Sequence, residues 1–315
     1  MTNRRELLNE HNNDYGFDVY SVLASTLSAE DAPSFSIVIP YYETGENFSR
    51  CLYFLKQAIS KYPGESEVIV VDDGSVHRKL LDYIDDKKEI RTIVFKDNRG
   101  RTEARNAGVA AAKNELILFL DSDVLVDEDL LINHAKLHIE ARRHKLKAIC
   151  IGFFEFADRE SAKIAQTRLT AQDIDINDFR IDCIYGASWI GCEDDKQFIG
   201  QHMNLVDETQ NLRSWKGQYK AWMLPNMVLG GAFSVAKEEI DAVEGFDTRF
   251  VGYGFTETSA VTRMVAERNN VVIPCLAGGA VHIEDESINV SRNKKDEIFK
   301  KKHDFYFNTF LTEEL

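Results

Sequence analysis

Proline is scarce, with 5 in 315 residues, so no stretch reads as a Pro-rich linker. Cysteine is sparse too. Cys51, Cys150, Cys183, Cys192 and Cys275 are odd in number and lack zinc-finger or redox spacing. That excludes a disulfide framework and points to a reducing compartment with free thiols. Basic residues are outnumbered, 38 Lys plus Arg against 52 Asp plus Glu, for a formal net charge of −14. Such a chain lacks the basic footprint that nucleic-acid binding by counterion release needs. No apolar run approaches the roughly 20 residues of a membrane span. Met1 to Ala32 is too polar for a signal peptide, and no repeat is visible. The expectation is a soluble, cytoplasmic protein. At 44% hydrophobic, the chain has material for a large core.

What is present is a rhythm of short apolar strands ending in acids. Leu116–Leu120 is a continuous apolar run, short enough for a strand buried on both faces, and it stops at Asp121-Ser-Asp123. Asp127 then reads as an N-cap for a helix over 128–144. Upstream, Ser34–Pro40, Glu67–Val71 and Ile90–Phe95 read as strands, the first ended by Pro40. Between them fall helical patterns over 47–61, 78–85 and the stretch up to Lys113. Alternating strands and helices predict an α/β fold, a mostly parallel twisted sheet with helices on both faces. Open parallel sheets bind ligands at the carboxyl ends of their strands. Here those ends carry Tyr41-Tyr42-Glu43, Asp72-Asp73-Gly74-Ser75 and Asp121-Ser-Asp123. Aromatic rings stack on bases, and carboxylates accept from base or ribose donors. Hard carboxylate oxygens also suit Mg²⁺ or Mn²⁺ shared with a phosphate.

In order and spacing, Ser36-Ile-Val-Ile-Pro40, Val71-Asp-Asp-Gly-Ser75, Asn98-x-Gly100 with Ala104-Arg-Asn-x-Gly108, and Leu120-Asp-Ser-Asp123 resemble the family 2 glycosyltransferases of the GT-A fold. The resemblance implies a nucleotide-binding half over 34–150 and an acceptor half of the same domain over 151–290. An extension over 1–33, given no chemistry, and a helical tail over 291–315 flank them. It implies that Pro40, Tyr42 or Glu43, and Asp73 hold the nucleobase. It also implies that Asp121 holds ribose and metal, and that Asp123 holds metal. Arg101 and Arg105 either face a diphosphate or, for Arg105, form a buried salt bridge. The expected donor is a nucleoside-diphosphate sugar, with UDP as the nucleotide and Mn²⁺ or Mg²⁺ as cofactor.

The later half continues the resemblance, in the manner of the galactosyl and N-acetylgalactosaminyltransferases. Val243-Glu-Gly-Phe-Asp247 and Gly252-Tyr-Gly-Phe-Thr-Glu257 stand where the family has Gly-Gly-Phe-Asp and Gly-Trp-Gly-x-Glu-Asp. By register Glu257 is the expected general base of an inverting transfer, with Thr256, an expected sugar contact, in place of the first acid. His282 is an expected third metal ligand. Gly230 and Gly231 allow close backbone approach to a sugar, or form a bulge. Trp222, with Tyr185, Trp189, Trp215 and Tyr219, reads as a sugar platform or as core. The tail alternates lysines with Ile298, Phe299, Phe305, Phe307 and Phe310. It reads as a helix docked on the domain, with a basic membrane-surface helix as the other possibility. Two competing functions share these residues: a sugar nucleotidyltransferase, and a transferase-like binding protein impaired by the Thr256-Glu257 change. The acceptor, whether glycan, lipid, peptide or small molecule, is not readable.

Overall fold

Side-chain alternation along the strands decides the layers. In the computed structural model, residues 2–84, 90–152, 155–157, 224–228, 231–252, 254–277, 280–283 and 292–315 are described. The elements in chain order are α1 (Arg4–Glu10), α2 (Val19–Ala24), β1 (Phe35–Tyr41), α3 (Glu46–Lys61), β2 (Ser66–Asp72) and β3 (Ile90–Val94). Then come α4 (Arg101–Ala111), β4 (Leu116–Leu120), β5 (Val124–Val126), α5 (Leu130–Arg143), β6 (Ala148–Ile151) and β7 (Glu155–Ala157). The later half contributes β8 (Ala232–Ala236), α6 (Lys237–Ala242), α7 (Thr256–Arg268), β9 (Val271–Pro274), β10 (Ala280–Ile283) and α8 (Arg292–Asn308).

Seven strands form one sheet in the order β3-β2-β1-β4-β8-β6-β9. Strands β1 to β4 run parallel, and β8 runs antiparallel to both β4 and β6. Ile37, Ile39, Val68, Val70, Leu116 and Leu118 point to one face, where Phe48, Cys51 and Leu55 of α3 cover them. Val38, Ile69, Val71, Ile117 and Phe119 point to the other, under Ala104 and Val109 of α4 and Ala260 and Met264 of α7. All five side chains of β4 are fully buried, each worth roughly 1.5–3 kcal/mol of hydrophobic stabilisation. Gly108 is the contact point of α4 on β1. A Cβ there would lie 2.2 Å from Val38 Cγ1, so any side chain would lift the helix off the sheet.

A smaller sheet, β5-β10-β7, stands beside the first. Its antiparallel β10–β5 pairing sets His282 opposite Val124, next to Asp123. The tail helix α8 docks on the domain: Tyr306, Phe307, Phe310 and Leu311 are buried in the larger core. No helix among the described residues is long and apolar enough to cross a membrane. Residues 1–33 also pack. Leu8, Tyr15, Phe17, Val19 and Leu23 are buried, and Asn13 clasps the outer edge of β9. Its amide accepts from Val272 N at 2.8 Å and donates to Val272 O at 2.9 Å.

Three local expectations need correction. Strand β1 runs one residue past Pro40, to Tyr41, because Tyr41 O still accepts from Asp73 N. The stretch 78–85 holds only a short 3₁₀ turn, Leu80–Asp82, among its described residues. Its upstream amides are taken by Glu43 and its Leu80 N by Asp72 Oδ2, so side chains replace the helical bonds. Asp127 is not the cap of α5, which begins at Leu130. Residues 124–126 form β5, and the Asp127 carboxylate instead accepts from Asp129 N.

Candidate functional site

The chain runs β1, β2, β3 outward and then returns to place β4 on the other side of β1. This is a topological switch point, and the crevice there lies between the ends of β1 and β4. Thr44 Oγ1 and Ser122 Oγ lie 2.7 Å apart and tie the two strand-end loops together. Asp121 N donates to Gly231 O at 3.2 Å, so the sugar-contact candidate Gly231 lies directly beside the first acid.

Asp121, Asp123 and His282 converge, each offering one ligand atom within 4.8 Å of the others. His282 Nε2 lies 3.4 Å from Asp123 Oδ1. Two hard carboxylates and one imidazole suit a divalent cation such as Mn²⁺ or Mg²⁺. Burial alone would raise both acids, but Arg105, Arg101 and His282 outweigh it at Asp121 and hold that carboxyl below its ordinary value. At Asp123 burial wins, aided by the charge of Asp121 and opposed by His282, and the pKa is raised.

Arg105 is the pivot. It is 0% exposed, and its guanidinium donates to Asp121 Oδ1 at 2.8 Å while its other terminal nitrogen pairs with Glu257 Oε1. It also lies over the Phe246 ring, 5.7 Å from the centroid. Of the two roles expected for Arg105, this is the buried salt bridge. Arg101, one helical turn earlier, is exposed, and its charge is felt by Asp121, Asp123 and Lys302. Asn106 closes the same motif on the later half: it donates to Phe246 O at 2.9 Å and accepts from Phe246 N at 2.8 Å.

Glu257 sits in the first turn of α7, behind a turn in which Gly252 and Gly254 have φ of 86° and 88°. Phe255, the residue before the helix, is left-handed at φ 59°. Thr256, expected to contact sugar, is fully buried. Its hydroxyl lies 3.4 Å from both Thr102 Oγ1 and Phe250 O, so it ties α7 to α4 instead.

The base side differs from expectation. The Glu43 carboxylate accepts from Val76, His77 and Arg78 N at 2.6–3.0 Å, so it shapes a loop. Burial would raise its pKa, and those three amides bring it below the ordinary value. Tyr42, 47% exposed, is left as the ring able to stack on a base, beside Pro40. Asp73 accepts from Arg99 N at 2.7 Å and Gly100 N at 2.8 Å, while burial keeps its pKa raised. Gly230, Trp222 and the other four aromatic candidates lie outside the described residues.

Sequence reasoning missed Lys302. It is 7% exposed on α8, and its Nζ donates to Gly254 O at 3.1 Å. The signal was there: it stands four residues from Ile298 and from Tyr306, inside the apolar stripe of the helix.

The family model described as Glycosyl transferase family 2 matches residues 36–173. Glycosyltransferase GlyG of Streptococcus pneumoniae serotype 4 is 32% identical over 100 residues, 30% of this chain and 32% of that protein. An N-acetylglucosaminyltransferase of Bradyrhizobium sp. strain ANU 289 is 30% identical over 104 residues, 31% of this chain and 67% of that one. The chain thus spans about a third of the length of the first relative and two thirds of the second. Among solved structures, GalNAc-T7 with UDP, GalNAc and Mn²⁺ superposes with a TM-score of 0.55 at 16% identity. The match covers 88% of this chain and 50% of that one, and it shows the shared GT-A architecture.

Proposed function

This chain belongs to glycosyltransferase family 2, and we propose that it transfers a sugar from a nucleoside-diphosphate sugar, with inversion, at the crevice between β1 and β4. UDP is the proposed nucleotide, as in the GalNAc-T7 complex. Tyr42, Pro40 and Asp73 form its base side, and Asp121 its ribose side. Asp121, Asp123 and His282 would hold Mn²⁺ or Mg²⁺, which when bound supplies Lewis acidity toward the leaving diphosphate. Arg101 adds positive charge on the same side.

The observation that carries the reading is the Asp121–Arg105–Glu257 chain. One buried guanidinium fixes an acid of the nucleotide side and an acid of the later half at the same time. A Glu257 held in this way, behind a glycine-flanked turn, would face the crevice that Asp121 borders. There it would take the acceptor's proton as the hydroxyl attacks the anomeric carbon opposite the diphosphate. Direct displacement on that face inverts configuration.

Donor hydrolysis across UDP-, GDP-, CDP- and dTDP-sugars, with and without Mn²⁺, tests the reading without an acceptor. Slow, metal-dependent release of free nucleoside diphosphate is expected. Nucleoside monophosphate plus sugar 1-phosphate as the products would transfer the site to nucleotidyl chemistry. Donor binding with neither hydrolysis nor transfer would make it a binding protein.

A further inference from the structure

We propose that Lys302, delivered by the C-terminal helix α8, is a diphosphate-binding residue, so that α8 completes the donor site. The inference rests on the nucleotide-sugar reading above.

A lysine within the apolar stripe of a docked helix ordinarily runs its stem along the surface and lifts its ammonium into water. Lys302 does the reverse. It stays 7% exposed and turns its Nζ inward to the carbonyl of Gly254, three residues before Glu257. A Cβ on Gly252 would also come within 4.0 Å of that Nζ, so the ammonium lies along the glycine turn. Arg101 acts on it from the α4 side, and the same Arg101 acts on Asp121 and Asp123. The ammonium therefore lies along the turn that leads to Glu257, which Arg105 joins to Asp121. A diphosphate that shares a cation with Asp121 and Asp123 would lie on this side of the crevice.

The electrostatics agree. Burial first, then Arg101, lower the Lys302 pKa to about 8, and Glu257 offsets part of this. Glu257 is already paired with Arg105, so it does not serve as a dedicated counter-ion for the ammonium. A buried ammonium held by a neutral carbonyl remains costly, and an anion drawn up to it reverses the sign. A diphosphate has the charge for it.

The other role open to Lys302 is only to hold the Gly252–Gly254 turn through the carbonyl. The nucleoside control separates the two, since a turn-holding role would weaken nucleoside and diphosphate alike, whereas a charge role weakens only the diphosphate. The probes are the tightest binder among UDP, GDP, CDP and dTDP, and its nucleoside, measured by calorimetry and by competition with Mn²⁺ present. Lys302→Gln and Lys302→Met are expected to weaken the diphosphate about tenfold and leave the nucleoside unchanged, while Lys302→Arg stays near the parent. Parental diphosphate affinity in Lys302→Gln, or equal losses for diphosphate and nucleoside, overturns the proposal and leaves the nucleotide-sugar reading standing. No nucleotide binding by the unsubstituted protein overturns both. Should neither neutral variant melt like the parent, ¹³C-dimethyl-lysine NMR on the unsubstituted protein decides, with Lys302→Arg assigning the signal. The Lys302 titration should move up with the diphosphate and not with the nucleoside, and an unmoved titration overturns the proposal.

Discussion

Two pairs of aspartates end parallel strands of the same sheet, and they differ in who holds them. Asp72 and Asp73, at the end of β2, are each 3% exposed and are met by backbone amides. Ser75 N and Leu80 N donate to the first, and Arg99 N and Gly100 N to the second. Asp121 and Asp123, after β4, face side chains instead: the Arg105 guanidinium and the His282 imidazole. A carboxylate that accepts two backbone amides pins a loop and keeps fewer lone pairs for a ligand. A carboxylate held by one cationic side chain keeps lone pairs for a ligand. Similar letters at similar strand ends thus meet backbone amides in one place and charged side chains in the other.

The sharpest way to break this contrast is Asp123→Ala. Metal-dependent UDP binding should be lost, by about 10²-fold or more, as read by calorimetry with Mn²⁺. His282→Ala should lose less, about tenfold, because water can replace a neutral ligand. Unchanged affinity in Asp123→Ala would remove the binding role from the second pair. Next is Glu257→Gln. It keeps the shape of the side chain bound to Arg105, so donor affinity should hold while transfer falls roughly 10²-fold. Parental turnover would move the base elsewhere. For the first pair, Asp73→Asn sets an amide N–H against a backbone donor. It should lower stability by about 1–3 kcal/mol in urea unfolding, with nucleotide affinity falling through the loop. Weakened binding at unchanged stability would make Asp73 a ligand contact first and a scaffold second.

A further effect is a slope that belongs to neither pair. His134 Nδ1 and His138 Nε2 lie 2.7 and 2.8 Å from Ser234 Oγ, all three buried in the sheet–α5 interface. Burial lowers His134 to about 4, and burial, His134 and Arg142 together push His138 well below its ordinary value. Unfolding lets both rings take protons from pH 6.5 downward, so the folded state loses stability as pH falls through that range. Above pH 6.5 the contribution is fully present. The expected loss is up to about 1.4 kcal/mol per pH unit for each ring until its folded pKa is reached. Urea midpoints measured from pH 7.5 to 5 should show it, and a flat profile would mean that the rings charge without unfolding. The aspartate variants are therefore best compared above pH 7.

Period and strand-end chemistry made much of this legible in advance. Leu116–Leu120 is β4 to the residue, and Asp121, Asp123 and His282 do converge although 159 positions separate the last two. What escaped depends on side chains replacing backbone. No periodicity announces that Glu43 will occupy three amides of the next loop and pin residues 76–78 outside a helix. Nor does a motif show that Asn106 will imitate a strand partner for Phe246. Lys302 escaped for a different reason. Its place in an apolar stripe was visible, but lysines on amphipathic helices usually end in water, and only the docked helix shows one that does not.

The Asn13 clasp on β9 has a consequence for behaviour in concentrated solution. The last strand of an open sheet presents bare amides and carbonyls to which another chain can add itself. Here one carboxamide occupies the N–H and C=O of Val272, and Pro274 at the end of the strand offers no N–H at all. The polar lead therefore works as a stopper against strand-by-strand polymerisation. Asn13→Leu should bare that edge without removing the extension, and light scattering of concentrated protein should then rise with time.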